Sequence, residues 1–272
     1  TDRAQNTEIA AMLSRAVAIS RFKFIGVLLI TVAILFLETK TYCSDVTPYL
    51  GPGRYGIIYI LADLQLLFFI VMIMSQSVIN GLKAFKGFKL TADSVLAASM
   101  IACTALCLVS ALADPTRLDL RLYNLVAASA ATVLALIRHL QCKKDLYCFC
   151  TVASKKAKFT ANALSGNTGE AGEFYKYLLE SSELYTVKKA SFVSGFFGRV
   201  NRRPESEDIF NFLLPANFVA SVALFLASYL INGQLYYAFS SAVLLFCTAT
   251  PLTSFIMISL PVIAANISAK RH

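Results

Sequence analysis

Charge is scarce in this chain: Asp, Glu, Lys and Arg make up 15% of its 272 residues, and 57% are hydrophobic. A soluble domain of that size has too little interior to hide so much apolar side chain. This excludes the ordinary soluble classes and points to a mainly α, polytopic membrane bundle. No charged, then apolar, then small-residue pattern opens the chain, so no removable signal peptide is expected. The first residue is Thr1 rather than methionine, which suggests a trimmed piece of something longer. A Walker-type glycine loop is missing, and so is any Ser/His/Asp or Cys/His set, which excludes P-loop nucleotide chemistry and nucleophilic catalysis by this segment. Internal repeats and low-complexity tracts are also missing.

What is present is a series of apolar runs. A membrane span needs about 20 mostly apolar residues, and six are expected: Phe24–Leu37 with its flanks, Gly56–Ile79, Ser94–Ala113, Leu122–Leu140, Ile209–Ile231 and Leu235–Ile267. The third and fourth are rich in Ala and Ser, which suits close helix–helix contact better than lipid exposure. Residues 1–22 read either as a short amphipathic helix on the cytosolic side, with Ile9, Met12, Leu13, Val17 and Ile19 near one face, or as a plain flank.

Lys and Arg set the orientation. With the N-terminus inside, only Lys40, Arg54, Arg117 and Arg121 of the 25 fall in outer loops. The positive-inside rule then puts both termini in the cytosol, and a plasma membrane is the expected location. The net charge of +9 is accounted for by anionic headgroups at the membrane ends, so no nucleic-acid partner is expected. Of seven cysteines only Cys43 lies outside, which leaves an outer disulfide without a partner.

This organisation gives a segment 1–22, four spans within 23–140, a small α/β cytosolic insertion at 141–208, and two spans with the start of a stalk at 209–272. In the insertion, "CFCTVASKKAKFTANAL" alternates well enough for one or two strands, and "SGNTGEAGEFYKYLLESSEL" reads as a turn into a helix. "NGQ" (232–234) makes the last two spans a tight hairpin.

The closing run carries Pro251 and Pro261. Proline lacks an N–H, so each leaves a carbonyl without its helical partner, that of Cys247 in the first case. In hydrocarbon an orphan carbonyl costs several kcal/mol unless protein, water or an ion takes it up. Broken helices at mid-membrane are one way transporters expose carbonyls to cations. Cys247, Thr248, Thr250, Thr253 and Ser254 stand around Pro251 with sulfur or oxygen to offer. A plain proline kink filled by Ser and Thr hydroxyls is the alternative.

Four stretches, in this order and spacing, resemble the membrane portion of heavy-metal-transporting P-type ATPases: "GLKAFKGFKLTADSVLAA", "LALIRHLQCKKD", "FNFLLPANFVASVAL" with Pro215, and "TPL…ISAKRH". The resemblance implies two accessory helices, four core helices and a shortened actuator region at 141–208. It puts Thr250-Pro251-Leu252 on the family's metal motif, where thiolates usually flank the proline. It implies a transported cation of transition-metal type held by Cys247, Thr250, Pro251 and Ser254. Phosphorylation and nucleotide-binding domains using Mg-ATP are expected beyond residue 272. "NTGE" offers Glu170 either as the actuator glutamate or as an ordinary helix-start residue. A soft ion such as Cu(I) wants sulfur, yet Leu252 stands at the second thiolate position. Two other readings stay open: a non-pumping regulatory or ion-sensing relative, and an unrelated ATP-independent permease with Asp63 coupling protons.

Other polar residues have two readings each. Asp63, inside the second span, is either functional or paired with Arg54 or interfacial water. Cys103 and Cys107 share a helix face and are either soft ligands or packing. Cys142, Cys148 and Cys150 form a cluster without the partners for a four-ligand zinc site, and His139 is read as an interfacial anchor.

Overall fold

The computed structural model describes residues 6–40, 55–87, 89–113, 120–153, 158–163, 185–190 and 209–249, together with positions 260–261, 263–265 and 268. The elements are α1 (Asn6–Lys40), α2 (Gly56–Ile73), α3 (Ser75–Lys86), α4 (Ala92–Ala113), α5 (Asn124–Ala153), β1 (Lys158–Ala163), β2 (Tyr185–Ala190), α6 (Ile209–Asn232) and α7 (Leu235–Ala249). Five of them, α1, α2, α4, α5 and α6, are long and apolar enough to cross a bilayer, and they mark an integral membrane protein. The expected sixth span, Leu235–Ile267, is described as a continuous helix only through Ala249, as a 15-residue apolar helix.

Three boundaries differ from the sequence expectation. First, α1 runs unbroken through the division drawn at residue 22. Its 35 residues give a rod of about 50 Å, well beyond a hydrocarbon core of about 30 Å. Once the apolar part has nucleated a helix, the flank extends it without a second nucleation penalty.

Second, the expected span Gly56–Ile79 bends at Met74 (φ −96°, ψ 16°). No proline is there, and Met74 N–H still reaches the Ile70 carbonyl while Val78 N–H reaches that of Met74. The bend falls where the apolar run gives way to Ser75, Gln76 and Ser77, and the amphipathic α3 follows.

Third, α5 continues well past Leu140 to Ala153. Cys142, Cys148 and Cys150 therefore stand on helix, which corrects the strand expected over Cys148–Ala153. Six alternating residues are too few for their period to decide between strand and helix when a formed helix runs into them. The strand expectation holds further on, where β1 and β2 pair antiparallel with Lys158 opposite Ala190 and Ala163 opposite Tyr185. The remainder of 154–208, including the expected helix, lies outside the described residues.

Small residues set the packing. Ala127, Ala128, Ala130, Ala131 and Ala135 line the buried face of α5, whose main partner is α1. Across that seam the Thr31 hydroxyl lies 2.8 Å from that of Thr132 and 3.2 Å from the Ala128 carbonyl oxygen. Hydroxyl contacts of this kind, with close backbone approach, are what hold helices together where lipid is as apolar as leucine. Gly233 closes α6 at φ +66°, its N–H bonded to the Tyr229 carbonyl at 2.8 Å, as a left-handed C-terminal cap. Pro215 sits inside α6 without ending it.

The tightest approach is at Gly81, where α3 crosses the start of α4. A Cβ there would overlap the backbone carbonyl of Asp93. Gly81→Ala is therefore expected to lower stability by about 1–3 kcal/mol, the usual scale of overpacking. Gly87→Ala, with only an ordinary 3.9 Å contact, serves as the silent control. Thermal unfolding of both variants in detergent checks this; equal midpoints would contradict the packing.

Candidate functional site

The polar groups of the spans converge on the segment that opens α5, residues 121–125. Arg121 N–H donates to the Tyr236 hydroxyl of α7 at 2.8 Å. Leu125 N–H donates to Glu38 Oε1 of α1 at 3.0 Å. That carboxylate satisfies one of the donors every helix start leaves open and favours the positive end of the dipole. Tyr123 between them adopts φ 56°, a conformation that side chains disfavour and that surrounding contacts must hold in place. Its carbonyl oxygen lies 3.8 Å from Cys103 Sγ of α4.

Asn124 is the hub. Its side-chain amide donates to Asp63 Oδ2 of α2 at 2.8 Å and to Cys107 Sγ of α4 at 3.2 Å. Asp63 and Asn124 are both fully buried. Asp63 Oδ1 and Asn124 Oδ1 find no hydrogen-bond partner among the described residues. Burial corrects the reading of Asp63 as a group reaching interfacial water; Arg54, the other suggested partner, lies outside the described residues. A buried acid held by a neutral amide, with an oxygen left over, is costly structure, which makes Asp63 a candidate for function.

One turn along α4 from Cys107 comes a second feature. Cys103 Sγ lies 3.7 Å from Cys247 Sγ of α7, and all three thiols are free and wholly buried. The i, i+4 spacing that puts Cys103 and Cys107 on one face thus gives them different partners, a thiol and a carboxamide. Sequence reading singled out Cys247 beside Pro251 but did not join it to Cys103. Among the described residues no three His, Cys, Asp or Glu side chains gather closely enough to hold a metal. The arrangement is a two-sulfur pair beside a carboxylate–carboxamide pair.

The Phe246 carbonyl accepts a 2.9 Å hydrogen bond from the Asn217 side-chain amide of α6, so a side chain already serves a carbonyl in the final described turn of α7. Thr248 returns its hydroxyl to the Leu244 carbonyl at 2.7 Å, the common back-bond of a helical threonine. Thr250, Pro251, Ser254 and Glu170 lie outside the described residues. His139, read as an interfacial anchor, is instead buried, with Nδ1 3.0 Å from Ser20 Oγ on α1. Asn124, Glu38 and Asn217 were missed; an asparagine or glutamate within or at the end of an apolar helix is the signal that could have found them.

A cavity of about 330 Å³ lies against this cluster, lined by Glu38, Tyr59, Arg121, Leu122 and Tyr123. Its Tyr123 wall backs onto Cys103 through the carbonyl contact above. No protein-family model, curated protein or solved structure matches this chain.

Replacing Asn124 by Leu would leave the buried Asp63 carboxyl without its donor, at a cost of about 1–3 kcal/mol. Removing both polar partners is cheaper than removing one. Asp63→Leu/Asn124→Leu is therefore expected to unfold at a higher temperature than Asn124→Leu alone, and additive losses would contradict the pairing.

Proposed function

We propose that the chain is the ion-binding membrane part of a soft-cation transporter of the P-type ATPase kind, with Cys103 and Cys247 as its principal ligands. The observation that carries the reading is the 3.7 Å approach of the two thiols across α4 and α7. Thiolates select soft ions such as Cu(I), and two sulfurs suit an ion content with few ligands better than tetrahedral zinc, which wants four. Cys247 stands one turn before Thr250-Pro251 in the sequence, so an ion between the sulfurs would lie next to the Cys247 carbonyl, which Pro251 strips of its helical donor. Thr250 and Ser254 are further ligands in this reading, and Glu170 the actuator glutamate.

In this reading the spans are six, with the basic end of the bundle in the cytosol of a plasma-membrane protein. Aspartyl phosphorylation in following domains would shift α7 against α4. Separating the sulfurs weakens the site, and the cavity beside Glu38 and Tyr123 gives the released ion a way out. Asp63, buried and one hydrogen bond from Asn124, favours a second reading: an ATP-independent permease in which that acid carries the coupling proton. Proteoliposome uptake by the chain together with its following domains separates them, since ATP drives the first and a proton gradient without nucleotide drives the second.

Metal displaces thiol protons, so affinity is expected to fall as pH falls, by up to about tenfold per pH unit for each proton released. Titration of the detergent-purified chain with Cu(I) against a chromophoric chelator should show one strong site. Cys103→Ser and Cys247→Ser should each weaken it at least tenfold. Affinities unchanged in both variants would overturn the assignment.

A further inference from the structure

A second cavity, of about 400 Å³, opens at the basic end of the bundle, between α1, the Met74 bend, and the facing parts of α4 and α5. Its size falls within the roughly 300–1,000 Å³ of small-molecule sites. Lys23 and Arg138 line it from α1 and α5, and Asp93 from the first turn of α4. Arg138 donates to Asp93 Oδ2 at 2.8 Å, while its own side chain is 47% exposed. Asp93 is more than nine-tenths buried, and its Oδ1 has no hydrogen-bond partner among the described residues. The carboxylate thus keeps an unused acceptor beside a cavity that also holds two cations.

That pattern discriminates among ligands. A free anion would meet the Asp93 carboxylate, and a bare cation would meet Lys23 and Arg138. A zwitterion answers both: an N–H-bearing ammonium donates to the carboxylate, and a phosphate sits between the ammonium and guanidinium groups. Ile19, Ile73 and Met74 line the same cavity, and Phe22, the neighbour of Lys23 in the chain, is 74% exposed. Charged and apolar side chains therefore adjoin in one cavity at the basic end of the bundle, where Lys and Arg are expected to meet headgroups.

We propose that this cavity binds the headgroup of an amine-bearing zwitterionic phospholipid, its ammonium on Asp93 and its phosphate between Lys23 and Arg138. A choline headgroup is rejected because its quaternary nitrogen has no N–H to donate. The site is separate from the thiol pair, and its test does not depend on metal binding.

The full chain in nanodiscs should unfold several degrees higher in phosphatidylethanolamine than in phosphatidylcholine, both of which carry no net charge. Asp93→Asn should erase that difference. Lys23→Gln, on the α1 rim and away from the Arg138 pair, should reduce it without touching the ion pair, which keeps the proposal testable if the Asp93 variant folds poorly. Equal midpoints in the two lipids would overturn the proposal. So would a matching rise with phosphatidylglycerol, which lacks an amine, or with soluble glycerophosphoethanolamine, which would make a free headgroup compound the ligand rather than a lipid.

Discussion

The hydrogen bonds of the α5 entry hold this bundle in register. Apolar packing in a bilayer is nearly indifferent to which helix meets which, because lipid competes for every contact on equal terms. Residues 121–125 remove that indifference. Tyr236 of α7, Glu38 of α1, Asp63 of α2 and the two cysteines of α4 each bond to this one short segment. A helix that slid by one turn, about 5.4 Å, would leave its partner group unsatisfied, at about 1–3 kcal/mol for each buried donor or acceptor. The left-handed Tyr123 records what that convergence demands of the backbone.

From this anchor the remaining architecture follows outward. The α4 N-terminus is pressed against α3 at Gly81, and the Asp93–Arg138 pair ties that same turn to α5. Thr31 and the alanine face of α5 hold α1 along the opposite seam. The α6–α7 hairpin, closed by Gly233, contributes Asn217 and Cys247. One end of the bundle thus gathers sulfur, carboxamide and carboxylate, and the other gathers charge.

Much of this was legible in the chain itself. Apolar run length is a strong signal, so α2, α4, α5 and α6 begin within a few residues of where the hydropathy pattern places them. The ends were harder. A helix stops where side chains stop supporting it, and neither the bend at Met74 nor the run of α5 to Ala153 carries a proline or glycine marker. The site was legible as residue types but not as partnerships. Cys103, Cys107, Cys247 and Asp63 stood out as polar or soft groups in apolar runs. The pairing of Cys103 with Cys247 spans 144 residues of sequence and depends on helix rotations that local periodicity does not encode. Asn124 escaped because an asparagine at a helix start usually serves its own backbone, whereas here its amide turns to α2 and α4.

Soft-ion transport, as proposed, would give this costly interior a purpose. Three buried thiols and a half-satisfied acid add little to stability that leucine would not add more cheaply. Under that proposal they are groups waiting for a ligand. X-ray absorption at the copper edge, on the purified chain carrying one equivalent of Cu(I), is the most direct test. The account predicts a coordination shell of two sulfurs that loses one when either Cys103 or Cys247 becomes serine. A shell of oxygen and nitrogen alone, or a sulfur count untouched by both substitutions, would contradict it.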